Sequence, residues 1–533
     1  MDDPISELRR LADRLQNLLK SKNIEPRAYQ FWIVNAICKA KIEGKNVILE
    51  LDAGMGKRII MYMITQLFDN ERILIISPSR ASIWDMAIKF RELSGSDEWF
   101  GVLTGGTPKW LKRGLLLNRR VILATPISLA GALRHQEVVP KFDIIIINEA
   151  DKVIRRVART KCTGVSFTHK IRFFEDLIGE KNKFEEAPDV SLAYPWNILK
   201  RILPKDACWI GMSGTLRDEH YTIDSEGRVV VRKEIDTLAN ELFPSKELVI
   251  LTMDSLLERT DLGEYIIRNL TIIRPVGVED PNVEIISSEI SAEIERVVDK
   301  ILERNRELYP AEETQFRTRE KVMDTIATLP NTDPLKVKFL KLALARRHLF
   351  AGTPSSYFKF LARPMIKKLI KEHRQVDLED ILPRESKKMQ AIIEIMRSWW
   401  EHRESSIVIL ASFVRTALDI IKRLRNEGVN NVLLLTGKVK NKKLVLEKFK
   451  SMKQSVLVLT PVAERDLDLP EAGLVIVHDV VSTAKSMYQR IKRSRRGLVI
   501  ILYYKNTHEE KKVKVLLTRI IKRYPWSVRI LSR

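Results

Sequence analysis

Strand, glycine-rich turn and helix follow one another without a gap between Asn46 and Leu67, and few folds accommodate that succession. The run Asn46-Val47-Ile48-Leu49-Glu50-Leu51 is apolar and branched enough for a buried strand. Asp52-Ala53-Gly54-Met55-Gly56-Lys57-Arg58 is a glycine-rich turn, and Ile59 to Leu67 is long and apolar enough for a helix. A helix N-terminus behind such a turn offers backbone N–H groups to an anion, so the unit reads as a phosphate-binding loop in which Gly54, Gly56 and Lys57 hold the phosphates. Such a loop ordinarily follows its lysine with a Ser or Thr whose hydroxyl holds Mg²⁺. Here that place is taken by Arg58.

The same texture continues. Short runs of branched apolar residues at Val47–Leu51, Ile73–Ile76, Gly101–Leu103, Val121–Ala124, Ile144–Ile147 and Cys208–Met212 alternate with helix-like segments. Continuous rather than alternating apolar runs mean strands covered on both faces, hence a parallel sheet that binds ligands at its carboxyl edge. From about 291 to 383 the pattern becomes helical, with Leu335–Leu349 and Tyr357–Lys371 as candidate helices. Strand-like runs return at Ile407–Leu410, Val432–Leu435, Val456–Leu459, Leu474–Val477 and Leu498–Tyr503. The fold class is therefore α/β: a parallel-sheet domain over 1–290, a helical insertion over 291–383 and a second parallel-sheet domain over 384–533.

Charge is unevenly distributed. Of the net +23, residues 384–533 carry 32 Lys+Arg against 14 Asp+Glu, and the rest of the chain 60 against 55. A strongly basic domain beside a nearly neutral one points to a polyanionic partner, most simply nucleic acid. A protein-interaction scaffold binding an acidic partner is the alternative from another class. Three scattered cysteines make neither a disulfide framework nor a zinc site. No apolar stretch is long enough to span a membrane, and the N-terminus is acidic, so a cytoplasmic protein without membrane contact is expected, nucleoid-associated if the source is prokaryotic. Abundant Lys, Arg, Glu and Ile with scarce Gln is a hyperthermophile-like bias that would fit an archaeal source.

Further motifs fall in order after the loop. Ile144-Ile145-Ile146-Ile147-Asn148-Glu149-Ala150-Asp151 is an apolar strand ending in polar residues, and Met212-Ser213-Gly214-Thr215 follows another. Pro26-Arg27-Ala28-Tyr29-Gln30 precedes the loop. Ser77-Pro78-Ser79-Arg80, Leu103-Thr104-Gly105-Gly106 and Ala124-Thr125-Pro126 end successive strands, as do Thr436-Gly437 and Thr460 later. Ala463 to Pro470 and Gln489-Arg490-Ile491-Lys492-Arg493-Ser494-Arg495-Arg496-Gly497 complete the set. Over about 20–290 and 384–500 the chain resembles superfamily 2 helicases of the DEAD/DEAH class, nearest the Hef/FANCM group of branched-DNA translocases. The resemblance implies two RecA-like domains around a helical insert. It implies ATP binding by Gln30, Gly54, Gly56 and Lys57, and strand contacts from Arg80, Thr104, Gly105, Thr125, Thr436, Gly437 and Thr460. Catalytic positions fall on Glu149, Arg493 and Arg496, which the departures below would leave vestigial.

The departures cluster on metal chemistry. Arg58 replaces the magnesium-binding hydroxyl and Asn148 the magnesium-binding carboxylate, so no metal-ligand set remains. Asp466 replaces a family glycine, and Lys492 and Arg495 replace two more. Loss of both anchors implies little or no ATP hydrolysis, with ATP, if held, held without Mg²⁺. Asn148, Glu149 and Arg58 sum to zero charge, as Asp, Glu and Mg²⁺ would. The Arg58 guanidinium is therefore expected in the metal's place, paired with Glu149 within about 4 Å. The implied role is binding branched or single-stranded DNA in repair or recombination and presenting it to a partner, an XPF-type nuclease in trans. The alternative is a working DNA-dependent ATPase with unusual metal ligation.

Overall fold

The computed structural model describes residues 13, 16–17, 19–21 and 24–531, except 26, 53, 134–139, 154–194, 215, 218, 224–228, 243–245, 269, 305–325, 327–328, 384, 438, 440, 461–471, 481–483 and 493–496. Apart from short exchanged pieces, the chain divides into two compact units at Tyr265 and Ile266.

The first unit is built on a seven-stranded sheet of β1 (Asn46–Glu50), β2 (Ile73–Ile76), β3 (Phe100–Leu103), β4 (Val121–Ala124), β5 (Ile144–Asn148), β6 (Cys208–Ser213) and β9 (Leu248–Leu251). The order is β3-β4-β2-β5-β6-β1-β9, and every pairing is parallel. Between them in sequence, β7 (Glu219–Ile223) and β8 (Val229–Lys233) form a separate two-stranded sheet. All residues of β1, β2, β4, β5 and β6 are buried, which is why their sequences do not alternate. β9 was not expected from sequence. It is an edge strand with only one fully buried residue, although its sequence Leu248-Val249-Ile250-Leu251 is as apolar as the others.

The second unit carries another all-parallel seven-stranded sheet, β12-β13-β11-β14-β15-β10-β16. Its strands are β10 (Thr271–Val278), β11 (Ile407–Leu410), β12 (Val432–Leu435), β13 (Val456–Leu459), β14 (Leu474–Val477), β15 (Leu498–Tyr504) and β16 (Val528–Ile530). β10 corrects the domain boundary drawn at 290. It pairs with β15 from Ile272↔Leu498 to Val278↔Tyr504, so the second unit begins near 266. Nor is the helical module a domain of its own. Ile286, Ile290, Ile294 and Val297 of the helix Pro281–Arg304 share one core with Ile409, Val458 and Ile476 of the sheet. The helix expected over Tyr357–Lys371 is two helices, Pro354–Leu361 and Pro364–Arg374, because Pro364 lacks an N–H and holds Arg363 out of the helical region.

A buried polar cluster ties helices to sheet. Lys388, wholly buried, donates to the carbonyls of Phe350 (3.0 Å) and His478 (3.2 Å) and to Glu509 Oε1 (2.8 Å). Glu509 Oε2 accepts from the Tyr504 amide at 2.9 Å, and His478 Nε2 donates to the Ala351 carbonyl at 2.7 Å. Burial pushes the His348 imidazole down to about 3 and holds it neutral.

Divided at the structural boundary, residues 266–533 hold 52 Lys+Arg against 32 Asp+Glu, and residues 1–265 hold 40 against 37. The asymmetry thus survives the correction. Residues 266–533 expressed alone should melt cooperatively, whereas residues 384–533, which lack β10 and half of the shared core, should not. A cooperative thermal transition in the shorter fragment would show the insert to be dispensable. Among the described residues no helix is long and apolar enough to cross a membrane.

Candidate nucleotide and nucleic-acid site

β1 delivers the chain into the loop at the carboxyl edge of the first sheet. Gly54 (φ 83°) and Gly56 (φ 77°) both lie in the left-handed region that favours glycine. Gly56 caps the helix Lys57–Leu67. A Cβ at Gly56 would stand 2.1 Å from Gln30 Nε2, so the bare glycine is also what lets Gln30 reach the loop. Gln30 Nε2 (3.3 Å) and the Tyr29 hydroxyl (2.8 Å) both donate to the Met55 carbonyl, and both side chains are buried. Lys57 Nζ donates to the carbonyls of Leu51 (2.6 Å) and Asp52 (3.2 Å). Burial lowers its pKa, and the carboxylates of Asp52, Glu149 and Asp151 pull it back up. A cation held by its own loop beside helix N–H groups is suited to an incoming phosphate.

The end of β5 behaves differently from expectation. Asn148 is buried, and its Nδ2 donates to Ser77 Oγ (3.3 Å) and Ser82 Oγ (3.4 Å), which are themselves bonded at 2.9 Å. Ser82 was not singled out in the sequence, although its spacing from Ser77 puts both hydroxyls at the start of the helix Arg80–Ser94. Glu149 has a left-handed backbone (φ 53°) and pairs with Lys152 Nζ at 2.6 Å. Asp151 Oδ1 accepts from Ser213 Oγ at 2.6 Å, joining the β5 and β6 motifs.

The expected Arg58–Glu149 pair is not formed. Arg58 Nη2 lies 3.6 Å from Asp85 Oδ2 on the helix Arg80–Ser94. Arg58 stands in the first turn of a helix that packs against Arg80–Ser94, so its side chain reaches across that contact while Lys152, three residues on, takes Glu149. Charge compensation is local to each group rather than shared between them. The residues do not fit the Mg²⁺ that the fold family uses here. A neutral amide, its Nδ2 turned toward two hydroxyls, and a guanidinium turned toward Asp85 stand in place of a carboxylate and a hydroxyl, so a negative charge and one oxygen are missing. Among the described residues, no group of three or more His, Cys, Asp or Glu is placed to hold a metal ion.

The motifs assigned to strand contact do lie at strand ends, but mostly below the surface. Thr104, Thr125, Thr436 and Thr460 follow β3, β4, β12 and β13, and all four are buried. The hydroxyls of Thr104 and Thr460 have no hydrogen-bond partner. The Thr125 amide donates to the Leu103 carbonyl (3.0 Å) and the Thr460 amide to the Leu435 carbonyl (3.1 Å), which ties both residues to the ends of their sheets. Exposed instead are Arg80, Gly105 and, in the second unit, Gly437. A Cβ on Gly106 would meet Arg80 Nη2 at 2.8 Å, so the guanidinium lies against that glycine and joins the β2 and β3 motifs. In the second unit Arg490 is buried. Arg493, Arg496 and the segment Ala463–Pro470 lie outside the described residues.

Residues 29–170 match the DEAD/DEAH box helicase family and residues 387–497 the helicase conserved C-terminal domain. The chain is 34% identical over 98 residues to the pre-mRNA-processing ATP-dependent RNA helicase PRP5 of Saccharomyces cerevisiae, 18% of this chain and 12% of that protein. Over 514 residues it is 22% identical to Dicer-like protein 2 of Cryphonectria parasitica, 89% of this chain and 33% of that one. It thus spans well under two thirds of these relatives. The fold is shared with the Hef helicase domain of Pyrococcus furiosus, at TM-score 0.57 and 20% identity over 95% of this chain and 99% of that one. It is shared also with S. cerevisiae Dbp5 bound to RNA and ADP BeF3, at TM-score 0.51 and 13% identity over 97% and 93%. Two helicase domains in this order, each on its own parallel sheet, place the chain in superfamily 2 of the helicases.

Proposed function

We propose that this chain is a degenerate helicase that binds nucleic acid and hydrolyses ATP very slowly or not at all. The observation that carries the reading is Asn148. Where such an enzyme holds Mg²⁺ on a carboxylate, this chain has a buried amide bonded to Ser77 and Ser82. Nucleotide, if it binds through Lys57 and the loop amides, does so without magnesium. The basic second unit and exposed Arg80 support binding through the phosphate backbone. The substrate is taken to be branched or single-stranded DNA and the partner an XPF-type nuclease supplied in trans, as the resemblance of the sequence motifs to the Hef/FANCM group implies. A second reading, RNA, is favoured by PRP5 being named an RNA helicase and by Dbp5 having been solved with RNA.

The test is phosphate release with and without forked DNA or RNA, beside a Lys57→Ala control. Wild-type release should equal the control on every strand, and stimulated release above it would restore the working-ATPase alternative. Affinity for the preferred strand should fall steeply with salt. A flat dependence would leave the acidic-protein scaffold as the better account.

A further inference from the structure

Two neighbouring helices of the first unit present an unusual face. On Lys109–Asn118, the residues Trp110, Arg113, Gly114 and Leu117 are spaced i, i+3, i+4 and i+7 and so share one side. Trp110 is 79% exposed and Leu117 48%. The contacting helix Pro126–Leu133 repeats the arrangement with Ile127, 67% exposed, and Gly131 one turn later. A Cβ on Gly114 or Gly131 would meet nothing within 4 Å, and neither has positive φ. A mid-helix glycine costs about 1 kcal/mol relative to alanine, and neither packing nor backbone conformation requires it at these two places. What both positions gain is a bare patch beside a large exposed apolar side chain.

The charge around this face identifies what it suits. Arg113, on this side of the helix, is exposed, and residues 99–133 contain no Asp or Glu. Exposed Arg80 stands against Gly106, four residues before Trp110. An exposed indole beside exposed arginines is complementary to a polyanion that carries flat apolar groups. A single nucleic-acid strand is such a polyanion, whereas a duplex hides its bases.

We propose that Trp110 stacks on an unpaired base of the bound strand. The bare turn at Gly114 lets base and ribose lie flat along the helix, Ile127 and Gly131 receive the neighbouring nucleotide, and Arg113 and Arg80 meet the phosphates. This makes the first unit, not only the basic second one, a reader of single-stranded character. It rests on the nucleic-acid reading above and adds a residue that none of the strand-end motifs contains.

The experiment measures affinity of the full chain, wild type, Trp110→Ala, Trp110→Phe and Gly114→Leu, for a short labelled single strand, the same strand with abasic sites, and the matched duplex. Stacking is worth about 1–3 kcal/mol per base, so Trp110→Ala should weaken single-strand binding by about five- to a hundredfold. Trp110→Phe should retain most of the affinity, and Gly114→Leu should lose it by covering the face. Duplex affinity and the salt slope should not move, because no charge is removed, and the abasic strand should bind wild type and Trp110→Ala equally. Equal single-strand affinity of wild type and Trp110→Ala would overturn the proposal, as would an equal loss on the abasic strand. Loss of a co-purifying protein by Trp110→Ala, with strand affinity unchanged, would make the face a protein-docking surface and overturn it too. Failure of wild type to bind any strand would instead remove the underlying reading.

Discussion

Lys388→Ala is expected to destabilise the second unit by about 3–5 kcal/mol, the usual consequence of removing one partner of a buried ion pair. The ammonium sits where no water reaches and serves three acceptors, the Glu509 carboxylate and the carbonyls of Phe350 and His478. Without it, Glu509 is a buried carboxylate whose pKa burial already raises, and it loses the cation that pulls that value back. Lys388→Met should cost nearly as much, since it keeps the volume and removes only the charge. Lys388→Met with Glu509→Gln should recover most of the loss, because no uncompensated charge remains. Denaturant unfolding of the full chain, followed through the transition of the second unit, measures all three. A Lys388→Ala midpoint within experimental error of wild type would show that the cluster does not hold the helices to the sheet.

The second large effect is a gain. Asn148→Asp combined with Arg58→Thr should create magnesium-dependent nucleotide binding where wild type has none. Each substitution returns one oxygen ligand to the end of β5 or to the first turn of the loop helix. Ser77 and Ser82 can donate to the new carboxylate as readily as they accept from the amide, so the change needs no repacking. If the missing ligands account for several kcal/mol of transition-state stabilisation, turnover should rise by up to about three decades at ~1.4 kcal/mol each. Calorimetry with and without Mg²⁺ reads the binding step, and phosphate release the turnover. Magnesium-dependent binding already present in wild type would refute the account of Asn148. Restored binding without turnover would place the remaining loss in the segment of Arg493 and Arg496.

Much of this protein was legible in one dimension. Runs such as Ile144–Ile147 and Val456–Leu459 leave no polar face, so they can only be central strands of sheets covered on both sides. Their spacing, with helical segments between, implies parallel order. The loop was legible because Gly54 and Gly56 occupy backbone conformations that favour glycine, and because its strand and helix flank it directly. The edge strands β3 and β12 were read from their sequences, whereas β9, β16 and the long-range strand β10 were not. β9 and β16 are short and partly exposed, and β10 joins a sheet whose other strands lie well over a hundred residues later. Only pairing across that distance decides which unit owns β10, and with it the place of the helical module.

The site divides the same way. Residue identity alone shows that Asn148 and Arg58 differ from the carboxylate and hydroxyl that the resembled family uses around Mg²⁺, since an amide carries no negative charge and a guanidinium has no acceptor to offer a cation. Where the altered side chains point was decided by tertiary packing. Charge balance made Arg58 and Glu149 natural partners on paper, yet Asp85 from a neighbouring helix and Lys152 one turn away are nearer. The strand-end threonines matched a pattern of exposed contacts, but burial at the sheet edges turned them inward and left Arg80, Gly105 and Trp110 facing solvent. A sequence records which groups are available, but distance and solvent access, which set the strength of every charge interaction, exist only once the helices have packed.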